Sequence, residues 1–301
     1  MKKFLVSIIL FFSVNSIFSQ VISLHLCPLF GFSISDVNEF VYNEDLKESH
    51  LEWKNYKPFI GINAICLIQN FIIDFKAQNA IPVTLGSVTD KDFSETNAIS
   101  MYSYHNLITN KDYSFELNLS YNFIFPIFNI GLGLSGVYSN IKMEAVDGYL
   151  QYPIGNDKWT GNESKQYLNG TVISYEQSRF MLGLLISLQK QIKYFSFGLT
   201  GNFYPFVRID CIDNHFLRSI QFLDSLQNGC AFKVKACIEW KIKNDFWLFF
   251  NTDYSFAKAN GNTFINSLGI ITHETTKVEE NYSAATSYYD FNLTFGFIIK
   301  I

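Results

Sequence analysis

The 301-residue sequence is poor in proline, cysteine and charge, with six prolines, five cysteines and 17% charged residues. So little proline, together with only 17 glycines, excludes collagen-like and low-complexity chains. A hydrophobic content of 48% excludes a disordered chain. The formal net charge of −4 argues against a basic surface for phosphates, so we do not expect nucleic acid as a partner.

Long hydrophobic runs are also absent after residue 20, so we expect no membrane-spanning helix there. The chain begins with two lysines, continues with an apolar run at residues 4–12 and reaches small polar residues near Ser19. This order is typical of a secretory signal. We predict a signal peptide at residues 1–20 and one domain at residues 21–301. A membrane anchor is the alternative, but the apolar run is short for a bilayer span.

Metal-ligand spacing is missing too. The sequence has neither C-x-x-C nor H-x-x-x-H, so we expect no metal and no cofactor. Five cysteines leave at least one unpaired within the chain. Cys211 and Cys230 flank a predicted loop of an exported protein, where a disulfide between them is one hypothesis and two reduced thiols are the other.

Aromatic residues are abundant, with 31 Phe and 17 Tyr, and they alternate with polar residues. In residues 113–125 every odd position is Phe, Leu or Tyr, and nearly every even position is Ser, Asn or Glu. Residues 231–243 and 289–301 repeat the alternation. Strict period-two alternation indicates β-strands with one apolar face.

Ten segments show this pattern, and most are longer than the strands of soluble proteins. They are residues 21–35, 51–66, 71–86, 113–126, 127–142, 171–189, 194–210, 229–243, 246–260 and 286–301. We therefore predict an all-β fold, a ten-stranded antiparallel transmembrane β-barrel. A soluble β-sandwich is the alternative, but its outer faces would be polar, whereas these are Phe, Leu and Ile.

Short and long connections alternate along the chain. The long ones are residues 36–50, 87–112, 143–170, 211–228 and 261–285. In an antiparallel meander all long loops then lie at one end, which predicts long extracellular loops and periplasmic termini.

Two short pairs of ionisable residues follow predicted strands at that same end. Asp90 and Asp92 follow the third segment, and Asp213 and His215 follow the seventh. Residues i and i+2 of an extended chain point to one side. A carboxylate orients a histidine and makes it a better base, and two close carboxyls tend to share a proton. Facing each other, the pairs could activate a water for attack on a carbonyl. The alternative is that they are ordinary loop residues.

Several further motifs accompany these pairs in a fixed order. They are E-F-V-Y at residues 39–42, S-H-L-E-W-K at 49–54, V-T-D-K-D-F at 88–93, S-Y-H at 103–105, Y-S-F-E-L-N-L at 113–119, D-N-H at 213–215 and G-N-T at 261–263. Together they resemble the omptins, ten-stranded outer-membrane proteases, along most of the chain from about residue 36.

The resemblance implies a catalytic centre of two couples. Asp90 and His215 would flank the attacking water, Asp213 would orient His215, and Asp92 would complete the acidic couple. The implied protein is an aspartyl-type endopeptidase that needs no metal and whose active site faces the cell exterior.

The resemblance also implies a substrate pocket with two acids. Glu39 matches one of them, and the other position holds Cys211, with Asp210 beside it. We expect peptide or protein substrates, cationic ones among them, and a looser preference than the family's. The arginine that the family uses for lipopolysaccharide is missing from residues 135–141, although Lys142 follows and Arg179 lies on the next strand. Membrane lipid is expected as a partner, but lipopolysaccharide dependence is not predicted.

A non-enzymatic outer-membrane barrel is the rival interpretation, as an adhesin, a small channel or a structural protein. Only the geometry of the two couples separates it from an enzyme.

Overall fold

The computed structural model describes residues 22–155, 158–268 and 282–301, which fold into one antiparallel sheet. The predicted signal peptide at residues 1–20 lies outside these residues. The strands are β1 (Ile22–Asn43), β2 (Leu46–Ile68), β3 (Phe71–Ala80), β4 (Gly86–Phe93), β5 (Ile99–Ile124), β6 (Asn129–Gln151), β7 (Gln166–Tyr167), β8 (Thr171–Ile192), β9 (Phe195–His215), β10 (Ile220–Lys243), β11 (Phe246–Ser267) and β12 (Tyr282–Lys300). No helix in the described ranges is long and apolar enough to cross a bilayer.

The sheet closes on itself. Strand β1 pairs with β2 on one side and with β12 on the other, and β5 pairs with β6, so the hydrogen-bonded order forms a ring. Closure leaves each main strand with two partners and removes the exposed edges of an open sheet. The all-β antiparallel barrel predicted from the sequence is confirmed.

The described residues form twelve strands where the sequence indicated ten segments. The predicted third segment, residues 71–86, corresponds to β3 and the start of β4, with residues 81–85 between them outside the ladder. Pro82 lies in that interruption, and proline cannot donate a ladder hydrogen bond. The two-residue β7 lies within the predicted loop at residues 143–170.

Most residues of the predicted long loops are strand instead. Strands β1 and β2 continue through residues 36–50 and turn only at residues 44–45, and the predicted loop at 211–228 contains a turn only at residues 216–219. The outer face becomes polar in these stretches, while the inner face keeps buried residues such as Val37, Val41 and Leu226. Because the outer residues are polar here, these parts of the strands lack the alternation of apolar and polar residues on which the prediction was based.

The outer surface of the barrel differs between its two halves. We call the end with the chain termini the terminal end and the opposite end, with the turns at residues 44–45 and 216–219, the hairpin end. The terminal half carries an outward belt of exposed apolar residues, among them Phe30, Phe32, Ile60, Leu119, Leu184, Leu199, Val234, Phe250 and Phe295. Such a belt is typical of a lipid-facing surface.

The interior is filled in layers. At belt level Lys233 Nζ lies 2.7 Å from Glu116 Oε2, and Lys57 pairs with Asp112. Toward the hairpin end an apolar layer follows, in which the Trp53 ring stacks on Tyr175 with centroids 5.4 Å apart. This layer forms the floor beneath the two predicted couples.

Candidate active site

The Asp–His couple lies at the carboxyl end of β9. Asp213 and His215 both point inward and are buried, and His215 Nε2 lies 2.6 Å from Asp213 Oδ2. A proton on Nε2 donates to the carboxylate, which leaves Nδ1 as the basic atom of the ring. The ring packs edge-on against Phe222 of β10, with centroids 5.4 Å apart. The couple is therefore held in one orientation.

The acid couple lies on β4, which pairs with β2 and β5. Asp90 is buried, and Ser49 Oγ of β2 donates to its Oδ1 across 3.4 Å. Asp92 accepts a hydrogen bond from Arg218 Nη2 of the β9–β10 turn. The i, i+2 spacing thus places both carboxyls on the inner face, as the sequence predicted.

The Asp–His couple and Asp92 of the acid couple face one cavity of about 430 Å³ at the hairpin end. Its lining includes Asp92, Asp213, His215 and Arg218. Burial, followed by the charge of Asp92, raises the pKa of Asp90 to about 7, while the charge of His215 lowers it. Side chains of β4 and β9, which are far apart in the sequence, therefore come together at the hairpin end.

The charge state of His215 reflects two opposing effects. Burial, the largest single cause, lowers the pKa of the imidazole, but the charge and the hydrogen bond of Asp213, together with the charge of Asp90, raise it. The resulting pKa lies above the ordinary 6.5. His215 is thus a stronger base than a free histidine.

Next to the couples lies a second acidic group, which we call the acid pocket: Glu39 of β1, Asp224 of β10, and the neighbouring Tyr175 and Cys211. Burial, then the charges of Asp213 and Asp224, raises the pKa of Glu39 well above its usual value. Burial also raises the pKa of Asp224 to about 6. Within the described chain no lysine or arginine forms an ion pair with either carboxylate.

Cys211 lies inside this pocket but carries no charge there. Its Sγ lies 3.2 Å from Tyr175 Oη, and burial raises the pKa of the thiol well above its usual value. The acid that the sequence analysis missed is Asp224, which is the register partner of Cys211 on β10. A second acid is therefore present, on the neighbouring strand.

Asp210, the other predicted pocket residue, is not brought into the cluster. It lies on the outer face of β9, where Arg208 Nε donates to its Oδ2 across 2.9 Å. Successive residues of a strand point to opposite faces, so a neighbour of Cys211 in sequence points away from the pocket.

The hypothesised disulfide between Cys211 and Cys230 is wrong for this structure, in which all five cysteines are free. Cys211 is buried inside the barrel, whereas Cys230 is exposed and pairs in register with Lys258. Two side chains on opposite faces of the sheet cannot be bridged without backbone movement. The hypothesis failed because the predicted loop between them is strand.

Arg179, noted as a candidate lipid contact, points into the barrel. Its guanidinium lies 3.6 Å from the centre of the Tyr288 ring, and its Nε donates to Ser139 Oγ across 3.0 Å. Arg179 is therefore not placed to contact lipid at the outer surface.

A metal-ion site is not apparent among residues 22–155, 158–268 and 282–301, where no three His, Cys, Asp or Glu side chains are grouped as ligands.

Comparison with known proteins gives a consistent result. No curated protein matches the sequence significantly. The crystal structure of the outer membrane protease OmpT from Escherichia coli has a TM-score of 0.83 and 16% sequence identity to this chain, covering 93% of this chain and 97% of that one. The outer membrane protein OprG from Pseudomonas aeruginosa has a TM-score of only 0.42 at 9% identity, over 94% and 97% of the two chains. The likeness to OmpT, at this low identity, shows the fold alone. The family comparison matches the Omptin family across residues 22–301, nearly the whole chain, and this chain therefore belongs to the omptin family.

Proposed function

We propose that this protein is an outer-membrane endopeptidase that hydrolyses peptide bonds with a water activated by the two couples. The observation that carries the proposal is the convergence of Asp92, Asp213 and His215 on one cavity, with Asp90 beside them. Family membership and the likeness to OmpT support the same activity.

The proposed reaction begins with a water between Asp90 and His215. His215 Nδ1 takes a proton from the water, whose oxygen forms a bond to the peptide carbonyl carbon. The carbon–nitrogen bond then breaks, and the amine leaves with the proton that His215 returns. Asp213 stabilises the imidazolium through the 2.6 Å hydrogen bond. The products are one carboxylic acid and one amine, and no co-reactant besides water is consumed.

The location follows from the same family relationship. We propose that residues 1–20 direct export and are removed, and that residues 21–301 cross the outer membrane ten times, counting β3 and β4 as one crossing. The hairpin end, with the couples, would then face the cell exterior. Membrane lipid would then surround the apolar belt.

The barrel interior does not favour a channel, which is one form of the non-enzymatic interpretation. The Lys233–Glu116 and Lys57–Asp112 pairs lie within it at belt level. The cavities there measure about 80 and 120 Å³, and a larger one of about 350 Å³ lies closer to the terminal end. Interiors filled by side chains leave no aqueous path.

The decisive experiment is digestion of a fluorogenic peptide library by the refolded, purified protein in detergent. We expect internal cleavage of peptides by the wild-type protein, and a loss of at least about 10³-fold in a His215→Ala variant that shows the same heat-modifiable migration on gels. If no peptide is cleaved by the folded wild-type protein, the proposal fails and the non-enzymatic barrel is left.

Activity should depend on pH with an acidic limb near pH 7. The reaction needs neutral His215 and ionised Asp90, and the pKa of Asp90 is raised to about 7 while that of His215 lies above 6.5. Lowering the pH protonates both groups, so kcat/KM should fall below about pH 7 and reach a plateau above it. A pH–rate profile with full activity at pH 5 would contradict this assignment.

The acid pocket should select a cationic side chain. Glu39 and Asp224 are buried carboxylates without a cationic partner in the described chain, and a charge-assisted hydrogen bond contributes roughly 1.5–3 kcal/mol. Glu39→Gln and Asp224→Asn should each lower kcat/KM about tenfold or more for peptides with Arg or Lys at the cleavage site, and much less for neutral peptides.

The matched control for this prediction is Glu52→Gln. Glu52 lies on the outer face of β2, where its Oε1 is 2.9 Å from Lys54 Nζ. This variant removes the same charge without touching the pocket, so the ratio of basic to neutral cleavage should not change. Equal ratios in all three variants would show that the pocket does not set specificity.

A further inference from the structure

Arg218 makes a contact that crosses the mouth of the barrel. It lies in the turn between β9 and β10, three residues after His215, and its Nη2 donates to Asp92 Oδ2 on β4. The same nitrogen lies 3.4 Å from Met101 Sδ on β5. Neither β4 nor β5 pairs with β9 or β10 in the ring. The contact therefore joins opposite walls of the site.

Arg218 is also the single lysine or arginine among the described residues that line the 430 Å³ cavity. Its charge acts on both couples, since it lowers the pKa of Asp90 and that of His215. Other titratable groups face the same space from the strands around it. They are Asp90 and Asp92 of β4, Asp213 and His215 of β9, His105 of β5, Glu39 of β1, Glu48 of β2, Tyr282 of β12 and Tyr152 beyond β6.

We propose that Arg218 is a positioning residue of the catalytic centre: it docks the β9–β10 turn onto Asp92 and so holds the Asp–His couple opposite the acid couple. The inference rests on the proposed function and extends it to a residue outside both couples. The turn that carries Arg218 follows directly on His215, so a bond at residue 218 restrains the end of β9 against β4.

Besides its contact with Asp92, the guanidinium of Arg218 acts on the two couples through its positive charge. The charge of Asp92 raises the pKa of Asp90, which works against the ionised Asp90 that the reaction needs. The charge of Arg218 lowers the pKa of Asp90 and so favours its ionised form. The same cation opposes protonation of His215, so it keeps the base neutral.

The test compares Arg218→Gln, Arg218→Lys and the control Arg208→Gln. Arg208 lies on β9, the strand that leads into the turn of Arg218, and pairs with Asp210 on the outer face, so its loss changes net charge equally without touching the site. Arg218→Gln should lower kcat about 100-fold, as expected when catalytic groups lose their alignment, with KM changed only a few-fold. Its acidic limb should move to higher pH, because loss of a cation raises the pKa of both Asp90 and His215.

Arg218→Lys keeps the charge but not the planar fork, so it should restore the position of the acidic limb and only part of kcat. Arg208→Gln should match the wild-type protein in both respects. An Arg218→Gln variant with wild-type kcat and an unmoved limb overturns the inference, and so does a faster variant, which would make the contact a block rather than a support. The same limb shift in Arg208→Gln would also overturn it.

A second measurement needs no substrate. The ring signals of labelled histidine in detergent micelles report the titration of His215, which should shift to higher pH in Arg218→Gln and not in Arg208→Gln. An unmoved His215 titration contradicts the inference even if no peptide is cleaved. The two failures are thus distinguishable: an inactive wild-type protein refutes the proposed function, whereas an active one insensitive to Arg218→Gln refutes only the role of Arg218.

Discussion

His215→Ala should reduce peptide hydrolysis by about 10³–10⁴-fold, at the upper end of what a general base contributes. The residue is buried at the cavity, its Nε2 is committed to Asp213 across 2.6 Å, and its Nδ1 is the basic atom left for water. Alanine removes the proton acceptor and the later proton donor together. The measurement is kcat/KM on the best peptide from the library digest.

The matched control is His50→Ala. His50 lies on the outer face of β2, where its ring stacks on Phe40 with centroids 4.4 Å apart and its Nε2 lies 2.8 Å from Asn38 Oδ1. It is a histidine near the same end of the barrel but outside the cavity, so its loss should leave the rate within about twofold of wild type. Full activity in His215→Ala would end the proposed mechanism.

Asp213→Asn should have the second largest effect, a loss of about 10²–10⁴-fold, although it changes few atoms. An amide nitrogen facing Nε2 favours the wrong tautomer of His215, and the neutral amide no longer stabilises the imidazolium. Burial then acts on the ring without the opposing carboxylate, so the pKa of His215 should fall. The residual activity should therefore show its acidic limb at lower pH, opposite to the shift expected for Arg218→Gln.

Asp210→Asn provides the control for this variant. It makes the same substitution three residues earlier on β9, on the outer face, where the partner is Arg208. We expect its rate and pH profile to match the wild-type protein. If Asp210→Asn lost as much activity as Asp213→Asn, a general effect on β9 would explain both, and the special role of Asp213 would be refuted.

The alternation of residues was enough to predict the barrel and the sides on which the two couples point. Asp90 and Asp92, and likewise Asp213 and His215, share a face because i and i+2 always do in an extended chain. The ends of the strands could not be predicted in the same way. Residues 36–50 change from an apolar to a polar outer face while the ladder continues, and polarity alone is the same for an exposed strand and a loop.

The acid pocket shows where sequence proximity misleads. Asp210 is adjacent to Cys211 in the chain but lies on the outer face, whereas Asp224 is thirteen residues further on and lies beside Cys211 inside the barrel. The register between β9 and β10 decides this, and a slip of one residue would turn every side chain of a strand to the other face. The hypothesised disulfide failed because the predicted loop between Cys211 and Cys230 is strand, which places the two side chains on opposite faces of the sheet.

The sequence by itself determined the fold class, the outer apolar belt and the inward direction of both couples, because these follow from a period of two that each strand carries locally. Tertiary structure alone decided that Asp224 joins Glu39 and that Arg218 reaches Asp92. The Arg218–Asp92 contact joins residues 126 positions apart in the chain. Such contacts depend on strand register and on closure of the ring, which long-range backbone hydrogen bonds set and which no local pattern of residues encodes.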